Sequence, residues 1–213
     1  MGTKVIPREA SRVTNSTTIR NLRDSLVLND LQHKVLIGAI LGDGSLIANS
    51  WGKSYRFHTQ QSNVQKDYVF WKYKIFKNFV LSPPRFEAVT NSWKFRTISH
   101  PEFTAYRNIF YSGKKKIIPS NIDELLTHPI SMAVWYMDDG CYVKRDSTFI
   151  LNTQSFSWPE NYILQECLRK KFSIETTIQR DKSYWRLYVK KRSAEIFRKL
   201  IWFYRDASMR KRL

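Results

Sequence analysis

The sequence predicts an α+β fold in which two pseudo-symmetric halves each follow the element order αββαββα. Two apolar segments end in Asp-Gly, at residues 43–44 and 139–140, and residues after each segment alternate between apolar and polar. An apolar segment of this kind is typical of a buried helix, whereas alternation is typical of a half-buried strand. Because short turns join successive strands, we expect antiparallel sheets rather than a doubly wound parallel sheet.

Residues of the same type recur along the chain at a nearly constant separation, which predicts an internal duplication. The recurring pairs are Asp43 and Asp139, Gln60 and Gln154, Ser62 and Ser157, Tyr68 and Tyr162, Trp93 and Trp185, and Lys116 and Lys211, separated by 92 to 96 residues. We therefore assign residues 29–120 to a first repeat and 127–213 to a second, with a linker at 121–126. Residues 1–28 are polar and are predicted to form a flexible basic arm.

Each repeat begins with one of the apolar segments, which we call the motif helices. The first is predicted over residues 31–41, and the second starts at Pro129, a favourable first helical residue. Gly38 and Gly42 are four residues apart, so they share a face on which another helix can approach closely. The glycines that follow the aspartates, Gly44 and Gly140, are predicted to end these helices in the left-handed conformation.

The remaining elements follow from local patterns. In the first repeat we predict a strand at 55–60, a helix at about 62–79, a hairpin at 85–98 and a helix from 99 to about 111. In the second we predict strands at 148–154 and 184–190, with helices at about 157–172 and 193–204. Ser-x-x-Glu/Gln sequences at 62–65, 99–102 and 157–160 predict capping boxes at the three helix starts.

The charge balance points to a polyanionic partner. The 213 residues include 36 Lys+Arg and 18 Asp+Glu, a net charge of +18, together with 15% aromatic residues. This combination favours nucleic acid over a membrane surface, since no basic amphipathic helix stands out. Two cysteines without a Cys-x-x-Cys pair predict neither a disulfide framework nor a zinc site. No apolar run approaches the roughly 20 residues of a membrane span.

One face of the predicted strands is polar and basic in both halves, which indicates a surface that lies along double-stranded DNA. Arginine and glutamine read base edges there, and lysine neutralises phosphates. The alternative is an ordinary solvated strand face. The predicted DNA-binding residues are Arg56, His58, Gln60, Lys94, Arg96, Lys144, Arg145, Gln154, Arg180, Arg186 and Lys190.

The ends of the two motif helices predict a cation-binding centre. A helix C-terminus carries partial negative charge, so Asp43 and Asp139 are unfavourably placed unless a cation neutralises them. Mg²⁺ takes oxygen ligands and also binds substrate phosphate, which favours phosphodiester hydrolysis. Lys116 and Lys211 occupy equivalent places after the last helix of each half, as catalytic groups or as phosphate contacts. Asp138, where the first motif has Gly42, is assigned a supporting role.

The segments at 36–44 and 132–140 resemble the paired signatures of the LAGLIDADG homing endonucleases, in the branch that carries two motifs in one chain. Flanking sequences at 80–84, 115–119 and 151–156 resemble the same branch. The resemblance implies a monomer with saddle-shaped sheets on DNA and Mg²⁺-dependent cleavage of both strands, with Mn²⁺ as a substitute. It implies Asp43 and Asp139 as metal-binding acids and Lys116 and Lys211 as active-site lysines. It also implies the main-chain carbonyls of Gly42 and Asp138 as further metal ligands.

Two other functions fit the same fold. One is a splicing maturase that binds intron RNA, with the aspartates serving in helix packing. The other is a DNA-binding regulator built on an inactive nuclease. Retention of both aspartates and both lysines favours the nuclease, made in the compartment of its target genome, whether mitochondrion, chloroplast or prokaryotic cytoplasm.

Overall fold

The computed structural model describes residues 17–49, 52–202 and 204 of the chain. Their helices are α1 (Thr17–Ser25), α2 (Asp30–Leu41), α3 (Lys66–Ile75), α4 (Pro101–Phe110), α5 (Ile122–Leu125), α6 (Pro129–Asp139), α7 (Trp158–Phe172) and α8 (Lys191–Trp202). Their strands are β1 (Ser45–Ala48), β2 (Tyr55–Ser62), β3 (Arg85–Glu87), β4 (Ser92–Arg96), β5 (Tyr111–Ser112), β6 (Lys115–Lys116), β7 (Gly140–Val143), β8 (Thr148–Leu151), β9 (Thr176–Asp181) and β10 (Tyr184–Val189).

Two four-stranded sheets have the same connectivity. The first has the order β1-β2-β4-β3 and the second β7-β8-β10-β9, with antiparallel pairing between neighbours in both. A short hairpin, β5–β6, pairs Tyr111 with Lys116. The predicted α+β class is confirmed, and the matching strand orders are what a duplicated sequence produces.

The chain divides into two compact units that cut across the predicted repeats. Of the described residues, unit 1 comprises 17–32, 45–49 and 52–106, and unit 2 comprises 33–44, 107–202 and 204. Most of the first motif helix therefore belongs to the unit that contains the second motif helix. The physical reason is that α2 and α6 pack on each other through small residues, as described below.

The core of unit 1 is aromatic. Phe57 on β2 lies 5.0 Å from Phe76 and 6.0 Å from Phe95, measured between ring centroids, and all three are buried. Lys72 on α3 is also fully buried, and its ammonium lies 4.1 Å from the centroid of the Tyr68 ring. That cation–π contact stabilises a charge that apolar surroundings alone would disfavour.

The core of unit 2 forms between α6, α8 and the second sheet. Tyr136 contacts Phe149 and Phe197 at 5.6 and 5.5 Å between ring centroids, and Phe149 lies 5.0 Å from Phe197. All residues of β8 are buried, so the alternation predicted for residues 148–154 does not extend through it. The strand ends at Leu151, which leaves Gln154 in the following turn.

The capping predictions have different outcomes. The Ser157–Glu160 capping box at the start of α7 is confirmed. The Ser62 prediction is wrong, because its hydroxyl donates to Gln65 Oε1 and a short 3₁₀ turn precedes α3. The Ser99 prediction is also wrong: α4 starts at Pro101, and His100 Nδ1 accepts from the Glu102 amide.

Two segments predicted to lack regular structure are partly helical. Residues 17–25 of the predicted flexible arm form α1, in which Ile19 is buried; residues 1–16 lie outside the described part of the chain. The predicted linker contains α5, with Ile122 and Leu126 buried. Apolar side chains anchor both segments, a signal that the surrounding polar residues obscured in the sequence.

Candidate metal centre and nucleic-acid interface

The motif helices α2 and α6 contact each other through residues that have little or no side chain. A Cβ atom added at Gly38 would lie 2.3 Å from the Ser131 carbonyl oxygen and 2.9 Å from Val134 Cβ. Ser131 Oγ also donates a hydrogen bond to the Lys34 carbonyl, at 2.8 Å. The predicted close approach at Gly38 is therefore present, and a side chain larger than hydrogen at this position would separate the helices.

Gly42 and Asp138 occupy the same contact one turn later. A Cβ atom added at Gly42 would lie 2.4 Å from Asp138 Cβ and 2.9 Å from its Oδ2. Asp138 is 3% exposed, so its side chain is buried against the Gly42 backbone. This explains why the two motifs differ at this position: the first must have glycine where the second has aspartate. The carbonyl roles predicted for Gly42 and Asp138 remain predictions.

The predicted metal-binding acids follow this contact directly. Asp43 is exposed in the turn after α2, and Asp139 is the half-buried last residue of α6. Each is one residue, or about 3.8 Å of chain, beyond a residue in contact with the other helix. The carbonyl of Asp139 accepts a hydrogen bond from the Asn152 amide at 2.9 Å. Both carboxylates thus lie where two helix C-termini meet, a place that favours a cation.

The glycines after the aspartates serve a different purpose from the one predicted. Gly140 has φ −87° and ψ 154°, which is extended backbone that begins β7. Among the described glycines, only Gly52 and Gly113 have positive φ, so neither Gly44 nor Gly140 is a left-handed cap. Instead, a Cβ atom added at Gly44 would lie 2.7 Å from the Ala39 carbonyl oxygen, and one added at Gly140 would lie 2.0 Å from the Tyr136 ring. Close packing excludes a side chain at both positions.

Lys116 reaches the same centre from β6. Its Nζ donates a hydrogen bond to the Gly42 carbonyl at 2.5 Å, and the residue is half-buried. The β5–β6 hairpin and the Ile117 amide, which donates to the Phe110 carbonyl at 2.8 Å, hold the lysine in place. The structure therefore brings Lys116 to the motif-helix termini as predicted from the sequence. Lys211 lies outside the described residues, and its role stays a prediction.

The donor set of this centre fits a hard divalent cation that also contacts substrate. Within residues 17–49, 52–202 and 204, no cluster of three or more His, Cys, Asp or Glu side chains forms a complete protein cage. Two carboxylates with adjacent main-chain carbonyls are an all-oxygen set, and Mg²⁺ is typically bound by one or two carboxylates plus substrate phosphates. The residues are therefore consistent with a metal that is completed by a phosphodiester.

The first sheet presents its predicted DNA-binding residues on one face. Cross-strand pairs place His58 opposite Arg96 and Gln60 opposite Lys94, and Arg56 shares their side of β2. The opposite side carries buried Phe57 and other core residues. Lys94 donates a hydrogen bond to Glu87, and Gln60 Nε2 donates to Ser92 Oγ at 2.6 Å. Arg85 pairs with Lys94 on this face too, although the sequence prediction omitted it.

His58 has a lowered pKa because of its position on this basic face. Desolvation by burial makes the largest contribution, and the positive charges of Lys94, Arg96, Arg56 and Arg85 add to it. A neutral imidazole keeps one acceptor nitrogen, and Nδ1 lies 3.4 Å from Ser45 Oγ. His58 therefore differs from the Lys and Arg side chains around it, because it is able to accept a hydrogen bond from a base.

The second sheet brings together some predicted residues and separates others. Gln154 and Arg186 both lie beside Asp181, whereas Arg180 pairs with Trp185 on the opposite face from Arg186. The hairpin register therefore does not bring Arg180 to the Arg186 face that the sequence predicted. Lys190 follows β10 and pairs with Glu175, between Nζ and Oε2, at 3.2 Å.

Lys144 and Arg145 lie in the turn between β7 and β8 and are exposed. Arg145 donates to both carboxylate oxygens of Asp146, at 2.8 and 3.0 Å, and the Tyr188 hydroxyl donates to the same carboxylate at 2.8 Å. Hydrogen bonds from Arg145 and then Tyr188 lower the pKa of Asp146 to about 2. Arg145 is thus held by a carboxylate, while Lys144 extends from the turn.

Sequence reasoning missed the carboxylates that pair with these basic side chains. Glu87, Asp146 and Asp181 each contact at least one residue predicted to bind DNA. The available signal was the period of two along β9, which puts Asp181 on the same side as Gln179 and Thr177. The other two depend on turn conformation and cross-strand register, which single-strand patterns do not reveal.

Comparison with known proteins identifies the family. A sequence profile described as the LAGLIDADG DNA endonuclease family matches residues 33–197. DNA endonuclease I-ChuI of Chlamydomonas applanata is 25% identical over 82% of this chain and 90% of its own length. The cytochrome b mRNA maturase bI2 of Saccharomyces cerevisiae is 26% identical over 94% of this chain, which spans 51% of the maturase.

A solved structure extends the similarity to three dimensions. The homing endonuclease I-WcaI, bound to its DNA recognition sequence, is 28% identical with a TM-score of 0.83, and 93% of each chain is covered. Among the described residues, no helix is both long and apolar enough to cross a membrane. The family resemblance of the two Asp-Gly motifs is therefore confirmed, and the chain belongs to the LAGLIDADG DNA endonuclease family.

Proposed function

We propose that this protein is a site-specific homing endonuclease that makes a Mg²⁺-dependent double-strand break at a long, asymmetric DNA site. The observation that carries the proposal is the contact between Gly42 and Asp138, which puts Asp43 and Asp139 at adjoining helix ends beside Lys116. Two carboxylates at adjoining helix C-termini add their charges to the partial negative charge of the helix ends, so they repel each other. A divalent metal ion removes that repulsion.

The residues of this chain have distinct parts in the proposed reaction. The Asp43 and Asp139 carboxylates would hold the metal, and the main-chain carbonyls of Gly42 and Asp138, one residue earlier in each motif, would be further ligands. When bound, Mg²⁺, or Mn²⁺ in its place, activates water and stabilises the attacking and leaving oxygens of a phosphodiester. Lys116, whose ammonium lies 2.5 Å from the Gly42 carbonyl, is placed to stabilise developing phosphate charge. Lys211 is the proposed counterpart in the second repeat.

The basic sheet faces supply binding and orientation. Residues such as Arg56, Gln60 and Arg96 share one face of the first sheet, and the net charge of +18 supports a large electrostatic contribution to DNA binding. Because one chain contains both motifs, we infer that it acts as a monomer. Its similarity to organellar intron proteins supports an origin in an intron and synthesis in the compartment of the target genome.

Asp139→Asn is the direct test of the metal assignment. The target is first selected from randomised duplexes by wild-type cleavage, and single-turnover rates are then measured in Mg²⁺, in Mn²⁺ and after chelation. We expect Asp139→Asn to lower the cleavage rate by at least about 10²-fold, the usual effect of losing one charge-stabilising group, while DNA binding persists. Asp67→Asn, an exposed carboxylate on α3, makes the same charge change as a control. Wild-type cleavage by Asp139→Asn would sink the assignment.

A second candidate function is RNA splicing, because a maturase is similar over 94% of this chain. In this case Asp43 and Asp139 hold no metal, and the partner is the intron RNA. Two assays on the same protein distinguish these functions: cleavage of DNA that carries the intronless insertion site, and splicing of the intron RNA. Protein that restores splicing but never cuts DNA would favour the maturase.

A further inference from the structure

Asp181 is an acidic residue on the face of the second sheet that carries Arg186, where a negative charge opposes DNA binding. Its Oδ2 accepts a hydrogen bond from Gln154 Nε2 at 3.0 Å and lies 3.7 Å from Arg186 Nη1. The side chains of Asp181 and Arg186 are 33% and 31% exposed, so both remain accessible to a ligand. A carboxylate near phosphates weakens association in general. Its position therefore calls for a compensating role.

Asp181 determines which way round the Gln154 amide lies. An ionised carboxylate only accepts hydrogen bonds, so the amide nitrogen of Gln154, not its oxygen, must face it. The same nitrogen donates to Asn152 Oδ1 at 3.4 Å. Both N–H groups are thus directed into the protein. Among the described residues, none donates a hydrogen bond to Gln154 Oε1, so the side chain presents an acceptor to its surroundings.

Asp181 acts on Arg186 by charge alone. The 3.7 Å separation is within ion-pair range but exceeds that of a hydrogen bond, so the guanidinium keeps its donors. Arg186 Nε is buried and makes no hydrogen bond within the described residues. Because Nε is buried, the two terminal Nη groups are the donors that can match the O6 and N7 acceptors of guanine, the commonest specific contact of arginine in the major groove.

We propose that Asp181 is a positioning residue for the recognition of DNA sequence. It fixes the Gln154 amide so that only the oxygen is free to accept a hydrogen bond from a base amino group, and it orients Arg186 next to Gln154. This inference rests on the proposed function. Glutamine usually contacts adenine through both its N–H and its oxygen. With its nitrogen engaged by Asp181, Gln154 selects adenine N6 or cytosine N4 and rejects guanine and thymine, which present oxygen at the corresponding place.

The duplicated residue in unit 1 is an internal control. Gln60 Nε2 also donates twice, to Ser92 Oγ and to Thr90 Oγ1 at 3.0 Å, but both partners are hydroxyls. Hydroxyls both donate and accept, so they do not impose one orientation on the amide. The base pair contacted by Gln60 should therefore keep its preference when Asp181 is changed.

The test is a base-preference profile of Asp181→Asn. A target is selected from randomised duplexes by binding of the full-length protein, and binding is then measured for all single base-pair substitutions of it, with Ca²⁺ replacing Mg²⁺ to prevent cleavage. Gln154→Ala first identifies the base pair that Gln154 contacts. We expect wild type to favour A or C there by roughly tenfold, the lower range for one good base contact. In Asp181→Asn this preference falls below about threefold, because an asparagine partner permits either amide orientation.

Charge and stability effects are distinguished by two further measurements. Asp146→Asn removes a carboxylate from the same unit that contacts Arg145 and Tyr188 instead, so it should leave the Gln154 base pair unchanged. The urea midpoint of Asp181→Asn should match wild type. The positioning role would be overturned if Asp181→Asn kept the wild-type base preferences. It would also be overturned if the variant lost binding affinity equally at all base pairs of the target and had a lower urea midpoint of unfolding. Wild type that binds specifically but never cuts would overturn only the nuclease, and wild type that binds no duplex would overturn both.

Discussion

Gly38→Ala tests whether the spacing of the motif helices controls both stability and chemistry. The new Cβ would lie 2.3 Å from the Ser131 carbonyl oxygen, whereas an ordinary carbon–oxygen contact is about 3.3 Å. Because the obstructing atom is backbone, the helices must separate by about 1 Å. Overpacking of this kind costs about 1–3 kcal/mol. Alanine recovers about 1 kcal/mol of helix propensity relative to glycine, which leaves a net loss of up to about 2 kcal/mol.

The same displacement moves Asp43 relative to Asp139. A misplacement of about 1 Å in a catalytic constellation can reduce the rate by about 10²-fold. The free energy of unfolding is measured by urea titration with circular dichroism, and the cleavage rate is measured at saturating DNA and Mg²⁺. We expect both to fall, with the rate reduced more than the remaining folded fraction explains.

Ser131→Ala is the matched control for this prediction. It removes the hydrogen bond from Ser131 Oγ to the Lys34 carbonyl, at a cost of about 1 kcal/mol, but adds no volume between the helices. Stability should therefore decrease while the cleavage rate stays within a few-fold of wild type. If Gly38→Ala were as stable and as active as wild type, the close approach would not set the geometry of the centre.

Two further predictions concern the second sheet. Lys144→Ala should weaken DNA binding equally for all sequences, because an exposed turn lysine contacts phosphate rather than a base. The slope of the logarithm of the DNA-binding constant against log[salt] should decrease in magnitude by about one. A loss of affinity confined to one base pair would contradict this. The pKa of Asp146 is lowered from 3.8 to about 2 in the folded protein, so its contribution to stability is present above pH 3.8 and is lost as the pH falls toward 2. The difference in unfolding free energy between wild type and Asp146→Asn should accordingly shrink on acidification, and a difference that grows would reverse the assigned cause.

Patterns within one element predicted the structure well where the element itself supplies all the partners. The capping box at Ser157 formed because Glu160 and the helix start lie within four residues of each other. The same type of pattern failed at Ser62, where the hydroxyl bonds to the Gln65 side chain instead. At Ser99 the neighbouring His100 takes the capping position. Local sequence therefore predicts that a helix begins nearby, while competing partners decide its first residue.

Predictions that depend on the register between strands were only partly correct. Alternation correctly placed Arg56, His58 and Gln60 opposite the buried Phe57 side of β2. It did not reveal that Arg180 pairs with Trp185 and therefore lies on the other face of the sheet from Arg186. A period of two assigns residues to faces within one strand only. The turn between two strands decides which faces coincide.

The sequence by itself determined the α+β class and the family, and it predicted the duplication and the pairing of Asp43 with Asp139, since each depends on residue types at fixed separations. Only the tertiary structure decided that most of α2 belongs to the second unit, that Gly42 makes room for Asp138 and that Lys116 reaches the Gly42 carbonyl. It also decided that Asp181 holds Gln154 and Arg186. The physical reason is that these contacts join residues far apart in the chain, and their distances depend on packing and strand register.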